Sequence, residues 1–257
     1  MWELQCMARL RAKLPPQVIR TRFYRIAGMT ESDVDHTIAP IYTKYANPAC
    51  TILAGPSDIQ VYLRARCDTG EQAEALLREV GSQIESILGV RLYTCTGETM
   101  EECIGAMLID RAQTVSAAES CTGGMLAARL TETPGSSRYF SGGFVTYSNE
   151  AKVRLLGVDA AMLEKEGAVS DAVARAMAEG ARETLGTDYA LSITGVAGPD
   201  GGSDQTPVGT VFIGLATPSD VHAKSFRLPG DRNRIRTIAA QTALDMLRLH
   251  LLNRNAC

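Results

Sequence analysis

Apolar residues recur along this chain with two different periods, and the places where the period changes mark its elements. The opening segment to about Pro16 has helical character without a clean capped start. Phe23-Tyr24-Arg25-Ile26 then reads as a short strand, Thr30-Glu31-Ser32-Asp33 as a helix start rich in capping and first-turn residues, and Asn47-Pro48 as that helix's exit. Two apolar runs, 51–54 and 59–65, flank the turn signal Gly55-Pro56-Ser57-Asp58, and the second alternates apolar with polar positions. They predict a hairpin. From Glu71 to Leu88 the period is helical, with Ala75, Leu76, Val80, Ile84, Ile87 and Leu88 on one face and Gly89 in the stop position; residues 90–94 return as a strand.

The texture changes near Thr99. A helix from Thr99 to about Ala112 leads to a strand at 114–118, which runs straight into Glu119-Ser120-Cys121-Thr122-Gly123-Gly124 and a helix from Met125 to Leu130. Phe144-Val145-Thr146-Tyr147 is a strand; Ser170 caps a helix with Val173, Met177, Ala181 and Leu185 on one face, and Gly186 ends it. Strands follow at 189–194, 209–216 and about 222–227, and a long helix from Asp231 turns Ile235, Ile238, Ala239, Thr242 and Met246 inward. Strands alternating with helices from 114 onward predict an α/β layered domain whose helices bury both sheet faces, preceded by a small α+β unit over roughly 20–96. No segment repeats at a period of roughly 20 to 50 residues, so solenoids and propellers are excluded.

Composition sharpens this picture. At roughly 150 residues per domain, 257 residues suit two modest domains. A chain 45% hydrophobic and 21% charged has ample core material, which excludes wholesale disorder and fibrous classes. No run approaches the roughly 18 to 20 apolar residues needed to cross a bilayer, and Met1-Trp2-Glu3-Leu4-Gln5 lacks a signal peptide's apolar core, so a cytoplasmic protein is expected. Seven cysteines, odd in number and without a Cys-x-x-Cys pair, read as reduced thiols, with neither a disulfide framework nor a zinc site. The net charge of −3 argues against a nucleic-acid coat. Arg9, Arg11, Lys13, Arg20, Arg22 and Arg25 make the start locally basic, but without aromatic interleaving they read as a solvated strand and helix edge. The small unit shows no convergent catalytic residues and reads as a scaffold or dimerisation module; a KH-like unit would need the Gly-x-x-Gly clamp, which is missing.

Chemistry gathers in the second half. A strand-to-helix turn with two glycines brings backbone N–H groups close to a ligand and aims the positive end of a helix dipole at it, so Ser120 to Gly124 suits a phosphate or an oxyanion. Ser and Thr are also common helix caps, and Gly-Gly also makes plain tight turns. A second glycine-dense stretch, Thr194 to Gly202, follows another apolar strand, and a smaller turn is expected at Ser141-Gly142-Gly143. Ligands in open α/β sheets collect at such strand ends. With only His36, His222 and His250, scattered over the chain, a Ser-His-Asp triad and a His-rich metal site are both disfavoured. If Ser120 is a nucleophile, Lys152 is the natural base and Tyr147 a relay or alternative base; an ordinary lysine titrates near 10.4, so burial or a neighbouring cation must lower it. Cys121, a thiol at a helix start, competes as nucleophile. At the last helix Asp231 caps while Arg232 reaches toward a phosphate, with Arg234 and Arg236 equally eligible.

Six ordered motifs carry a family resemblance. Ala118-Glu119-Ser120-Cys121-Thr122-Gly123-Gly124, Pro134-Gly135-Ser136-Ser137, Gly143 to Asn149, Gly167-Ala168-Val169-Ser170, Gly195-Val196-Ala197-Gly198-Pro199 and Pro207 to Val211 together resemble the C-terminal domain of the competence-damage-inducible CinA family. The resemblance implies a three-layer α/β/α domain, here 97–257, that usually forms a homodimer. It also implies nicotinamide-nucleotide amidohydrolase activity in pyridine nucleotide recycling, with no metal or cofactor. By the same resemblance Ser120 matches the serine nucleophile, Tyr147 and Lys152 its activating pair, and Thr194 and Arg232 the substrate site. Thr122, Gly123, Gly124, Asn149 and Gly195 complete the expected substrate contacts. Residues 20–96 resemble the family's middle domain, and 1–19 the tail of a further N-terminal domain whose pyrophosphatase activity is not transferred. Two other functions compete: a catalytically silent nucleotide-binding or regulatory protein, and a competence-linked factor that binds nucleic acid.

Overall fold

The computed structural model describes residues 17–253. The helical segment expected up to Pro16, most of the stretch 1–19, and the thiols Cys6 and Cys257 lie outside the described residues. The chain divides into two compact units, Met1–Glu98 and Thr99–Cys257.

In the first unit, β1 (Val18–Ile26), α1 (Glu31–Tyr42), β2 (Ala49–Ala54), β3 (Ile59–Cys67), α2 (Gly70–Leu88) and β4 (Leu92–Thr94) follow in order. The strands form an antiparallel sheet ordered β2-β3-β1-β4. The expected hairpin closes at Ala54 opposite Ile59, where the Gly55 N–H donates to the Asp58 carbonyl at 2.8 Å. Both helices open on reciprocal caps, Thr30 with Asp33 and Thr69 with Gln72, and their buried residues join Tyr24, Ile26, Val61 and Leu63 of the sheet in one hydrophobic core. β1 begins five residues before the strand read from Phe23, because Arg20 and Arg22, which break the apolar run, are met by Glu74 and Glu85 of α2. Helix α1 stops at Tyr42, short of Asn47-Pro48; the Asn47 side chain instead exchanges two hydrogen bonds with the Arg66 backbone, at 2.9 and 3.0 Å.

The second unit contains α3 (Met100–Asp110), β5 (Val115–Glu119), α4 (Met125–Glu132), β6 (Phe140–Val145), α5 (Asn149–Leu156), α6 (Ala160–Glu166), α7 (Asp171–Leu185), β7 (Tyr189–Gly195), β8 (Thr210–Ala216), β9 (Val221–Arg227) and α8 (Arg232–Asn253). Its sheet is ordered β6-β5-β7-β8-β9. β5 runs parallel to both β6 and β7, whereas β8 and β9 are antiparallel additions. Helix α7 covers one face with α5 and α6 packed against it, and α3, α4 and α8 gather on the other. This makes the layered α/β class, with every residue of β5 buried. Ser141-Gly142-Gly143 is not a turn but lies inside β6. A side chain at Gly143 would come within 3.2 Å of the Ala117 carbonyl, so glycine there serves close strand approach.

From β5 the chain passes first to one neighbour, β6, and then returns to the other, β7. The C-terminal ends of these three parallel strands therefore frame a switch point, the position in open α/β sheets where a crevice forms.

Candidate active site

β5 delivers Ser120 to this crevice, and the Ser120 N–H donates to the Ile193 carbonyl of β7 at 2.9 Å. Gly123 and Gly124, at φ +60° and +96°, then reverse the chain into α4, which residues with a Cβ would do only under strain. On the neighbouring strand the Thr146 N–H donates to the Glu119 carbonyl at 2.8 Å, extending the ladder one residue past β6. Ser148 caps α5 by accepting from the Ala151 N–H, and the helix turns Lys152 inward.

Lys152 is 1% exposed. Its Nζ donates to the Thr146 carbonyl at 2.9 Å and to Ser120 Oγ at 3.2 Å, and no carboxylate among the described residues pairs with it. Burial without a counter-ion disfavours the charged form and lowers the lysine below its ordinary value. The result is an amine held against a serine hydroxyl, the geometry of a nucleophile and its base. Cys121 is the weaker nucleophile near neutrality: it is largely buried where it lines the cleft beside Ser120, and burial, reinforced by the nearby Glu119 carboxylate, pushes its thiol up to about 11.

Ser120 opens into a cleft of about 250 Å³ lined also by Tyr147, Gly195, Gly198 and Arg232. Tyr147, 61% exposed, makes no hydrogen bond to Ser120; its hydroxyl accepts from Arg232 Nη2 at 3.0 Å, while Nη1 donates to the Gly198 carbonyl at 2.8 Å. Arg232 thus ties the tyrosine to the second glycine loop across the mouth. It stands where expected, at the start of α8, with Asp231 capping through the Arg234 N–H. A larger cleft of about 480 Å³ in the first unit, beside Glu31, Asp35 and Cys50, holds no nucleophile–base pair; burial pushes the Cys50 thiol up to about 11.

The other expected contacts fall outside the cleft. Thr194 is buried and its hydroxyl donates to the Ala168 carbonyl at 2.7 Å, fastening β7 to the start of α7. The Thr122 carbonyl accepts from Arg236 at 2.7 Å. Asn149 is the exposed first residue of α5, and Gly123 lies at the surface of the turn. The Gly124 N–H is not offered to a ligand; it donates to Glu119, which also accepts from Leu126 and Ala127. Sequence reasoning passed over Glu119, although a lone acid ending an apolar strand was its signal. Thr146 contributes only a carbonyl, which side-chain chemistry cannot flag.

Comparison with known proteins follows the same division. Residues 97–251 match the CinA C-terminal domain, and residues 21–94 match the damage-inducible protein CinA KH domain. The chain is 52% identical over 248 residues to a CinA-like protein of Solibacter usitatus, covering 96% of this chain and 60% of that protein. It is 46% identical over 252 residues to one of Koribacter versatilis, covering 98% and 61%. The chain therefore spans about 60% of the length of these curated relatives. Among solved structures, a CinA superfamily protein from Klebsiella pneumoniae matches with a TM-score of 0.58 at 34% identity, over 61% of this chain and 99% of its own. A competence/damage inducible protein from Agrobacterium tumefaciens matches with a TM-score of 0.56 at 39% identity, over 60% and 97%.

Proposed function

Because the chain belongs to the CinA family, we propose that it hydrolyses the carboxamide of nicotinamide mononucleotide to nicotinic acid mononucleotide and ammonia, a step of pyridine nucleotide recycling, with Ser120 as nucleophile. The observation that carries this reading is the 3.2 Å approach of the buried, uncompensated Lys152 Nζ to Ser120 Oγ.

Lys152 in its neutral form takes the proton of Ser120 as Oγ attacks the carboxamide carbon. The carbonyl oxygen becomes an oxyanion, met by the backbone N–H at the residue after Ser120, Cys121, which lines the cleft. Collapse of the tetrahedral species breaks the C–N bond, and Lys152 returns the proton to the leaving nitrogen, which departs as ammonia. Water then adds to the acyl-serine with Lys152 again as base, releasing the carboxylic acid and restoring the serine hydroxyl. The Thr146 carbonyl holds Nζ in place throughout. Arg232 and Tyr147, at the mouth, suit the substrate's anionic, more distant part. Ammonia release from nicotinamide mononucleotide by the wild-type protein and by Ser120→Ala tests the proposal. Release that disappears in a folded Ser120→Ala protein is expected, and no release by the folded wild type overturns it.

A further inference from the structure

Helix α4 starts without a cap of its own. Gly124 occupies the capping position and has no side chain to accept a hydrogen bond. The acceptor comes instead from five residues upstream: Glu119, 1% exposed, receives the N–H of Gly124 and of Leu126 on Oε2, each at 3.0 Å, and that of Ala127 on Oε1 at 2.8 Å. The Met125 N–H goes to the Thr122 carbonyl at 3.3 Å and the Gly123 N–H to the Ser120 carbonyl at 3.1 Å. Every N–H from Gly123 to Ala127 is therefore spent inside the turn, and the positive end of α4 already holds an anion. A carboxylate so buried is tolerated only because three aligned donors replace its water.

Glu119 is also the residue immediately before Ser120. Its backbone is fixed in β5 and its side chain in α4, so the turn that presents Ser120 is pinned at both ends by one residue. We infer that Glu119 is a positioning residue for the nucleophile: its carboxylate clasps the 120–124 turn so that Ser120 Oγ stays in reach of Lys152, and it closes the α4 N-terminus to substrate anions. The catalytic half of this inference rests on the amidase reading above; the clasp itself does not.

Glu119→Gln keeps the shape but puts an amide NH2 against one of the three backbone donors. Two measurements on the full chain test it. Hydrogen exchange at Gly124, Leu126 and Ala127 should rise about tenfold or more while β7 and α7 keep their protection. In ammonia release kcat should fall by about a hundredfold, as expected for a displaced nucleophile, with KM changed by no more than about threefold. Glu119→Asp, which keeps the charge on a shorter arm, should give intermediate values and serves if the glutamine variant does not fold. Unchanged exchange at the three amides overturns the clasp. Raised exchange with unchanged kcat overturns the positioning role. If the wild type releases no ammonia, the amidase reading and the catalytic half fall together, and the exchange measurement decides the clasp by itself.

Discussion

At the scale of single residues, Lys152 sets how the site responds to pH. Burial lowers its proton affinity, so the neutral amine forms below the pH at which an exposed lysine deprotonates. Activity is expected to rise with pH along a limb whose midpoint lies below 10.5, and a kcat/KM profile checks it. Stability follows the same sign. Between the lowered folded value and the unfolded one, near 10.4, the unfolded chain binds more protons, so the wild type gains stability as pH rises through that window. Lys152→Met removes the penalty at every pH while abolishing ammonia release. Its melting temperature relative to wild type should therefore be highest near neutrality and decline toward pH 10, a trend that melts across this range would measure. Cys121, with its thiol pushed up to about 11, should be dispensable. Cys121→Ala is expected to retain the proposed ammonia release, and thiol alkylation near neutrality to leave it intact in the native protein.

At the scale of elements, Lys152 is only as well placed as the helix that carries it. Helix α5 packs on α7 at Gly180, where an added Cβ would lie 1.9 Å from the Leu156 carbonyl oxygen. Gly180→Ala must push the two helices apart. A loss of about 1–3 kcal/mol is expected from such overpacking, together with reduced kcat because Lys152 moves with α5; denaturant unfolding and ammonia release would measure both. Helices α5 and α6 were absent from the sequence reading, even though Ser148, Gly157 and Asp159 are capping signals, because each helix is too short for its apolar period to register. The longer α2, α7 and α8 were legible from period, although in α2 the buried face runs through Ala73, Leu77, Val80, Ile84 and Leu88, leaving Ala75 and Ile87 exposed. The Ser141-Gly142-Gly143 misreading has the opposite cause: glycines there serve a close approach between strands, which resembles turn chemistry until the neighbouring strand is known.

At the scale of the molecule, every residue of the proposed site lies in the unit Thr99–Cys257. The solved CinA superfamily protein from Klebsiella pneumoniae is matched over 99% of its own length by 61% of this chain. A fragment of residues 99–257 is accordingly expected to fold and to release ammonia at a rate comparable to the full chain, as circular dichroism and the ammonia assay would establish. Loss of activity in a folded fragment would assign the first unit a part in catalysis.

The sequence by itself determined the alternation of strands and helices, the two-unit organisation, and the delivery of Ser120 to a strand end, because hydrophobic period, caps and glycine positions are local properties. It also nominated Lys152. What only the tertiary structure decided was which of the nominated groups meet. The parallel pairing of β5 with β6 and β7 brings Lys152 to Ser120, leaves Tyr147 with Arg232, turns Thr194 to Ala168, and commits the Gly124 N–H to Glu119. Partner choice among buried polar groups depends on the register of distant segments and on the desolvation each group suffers there, and neither is written in local spacing.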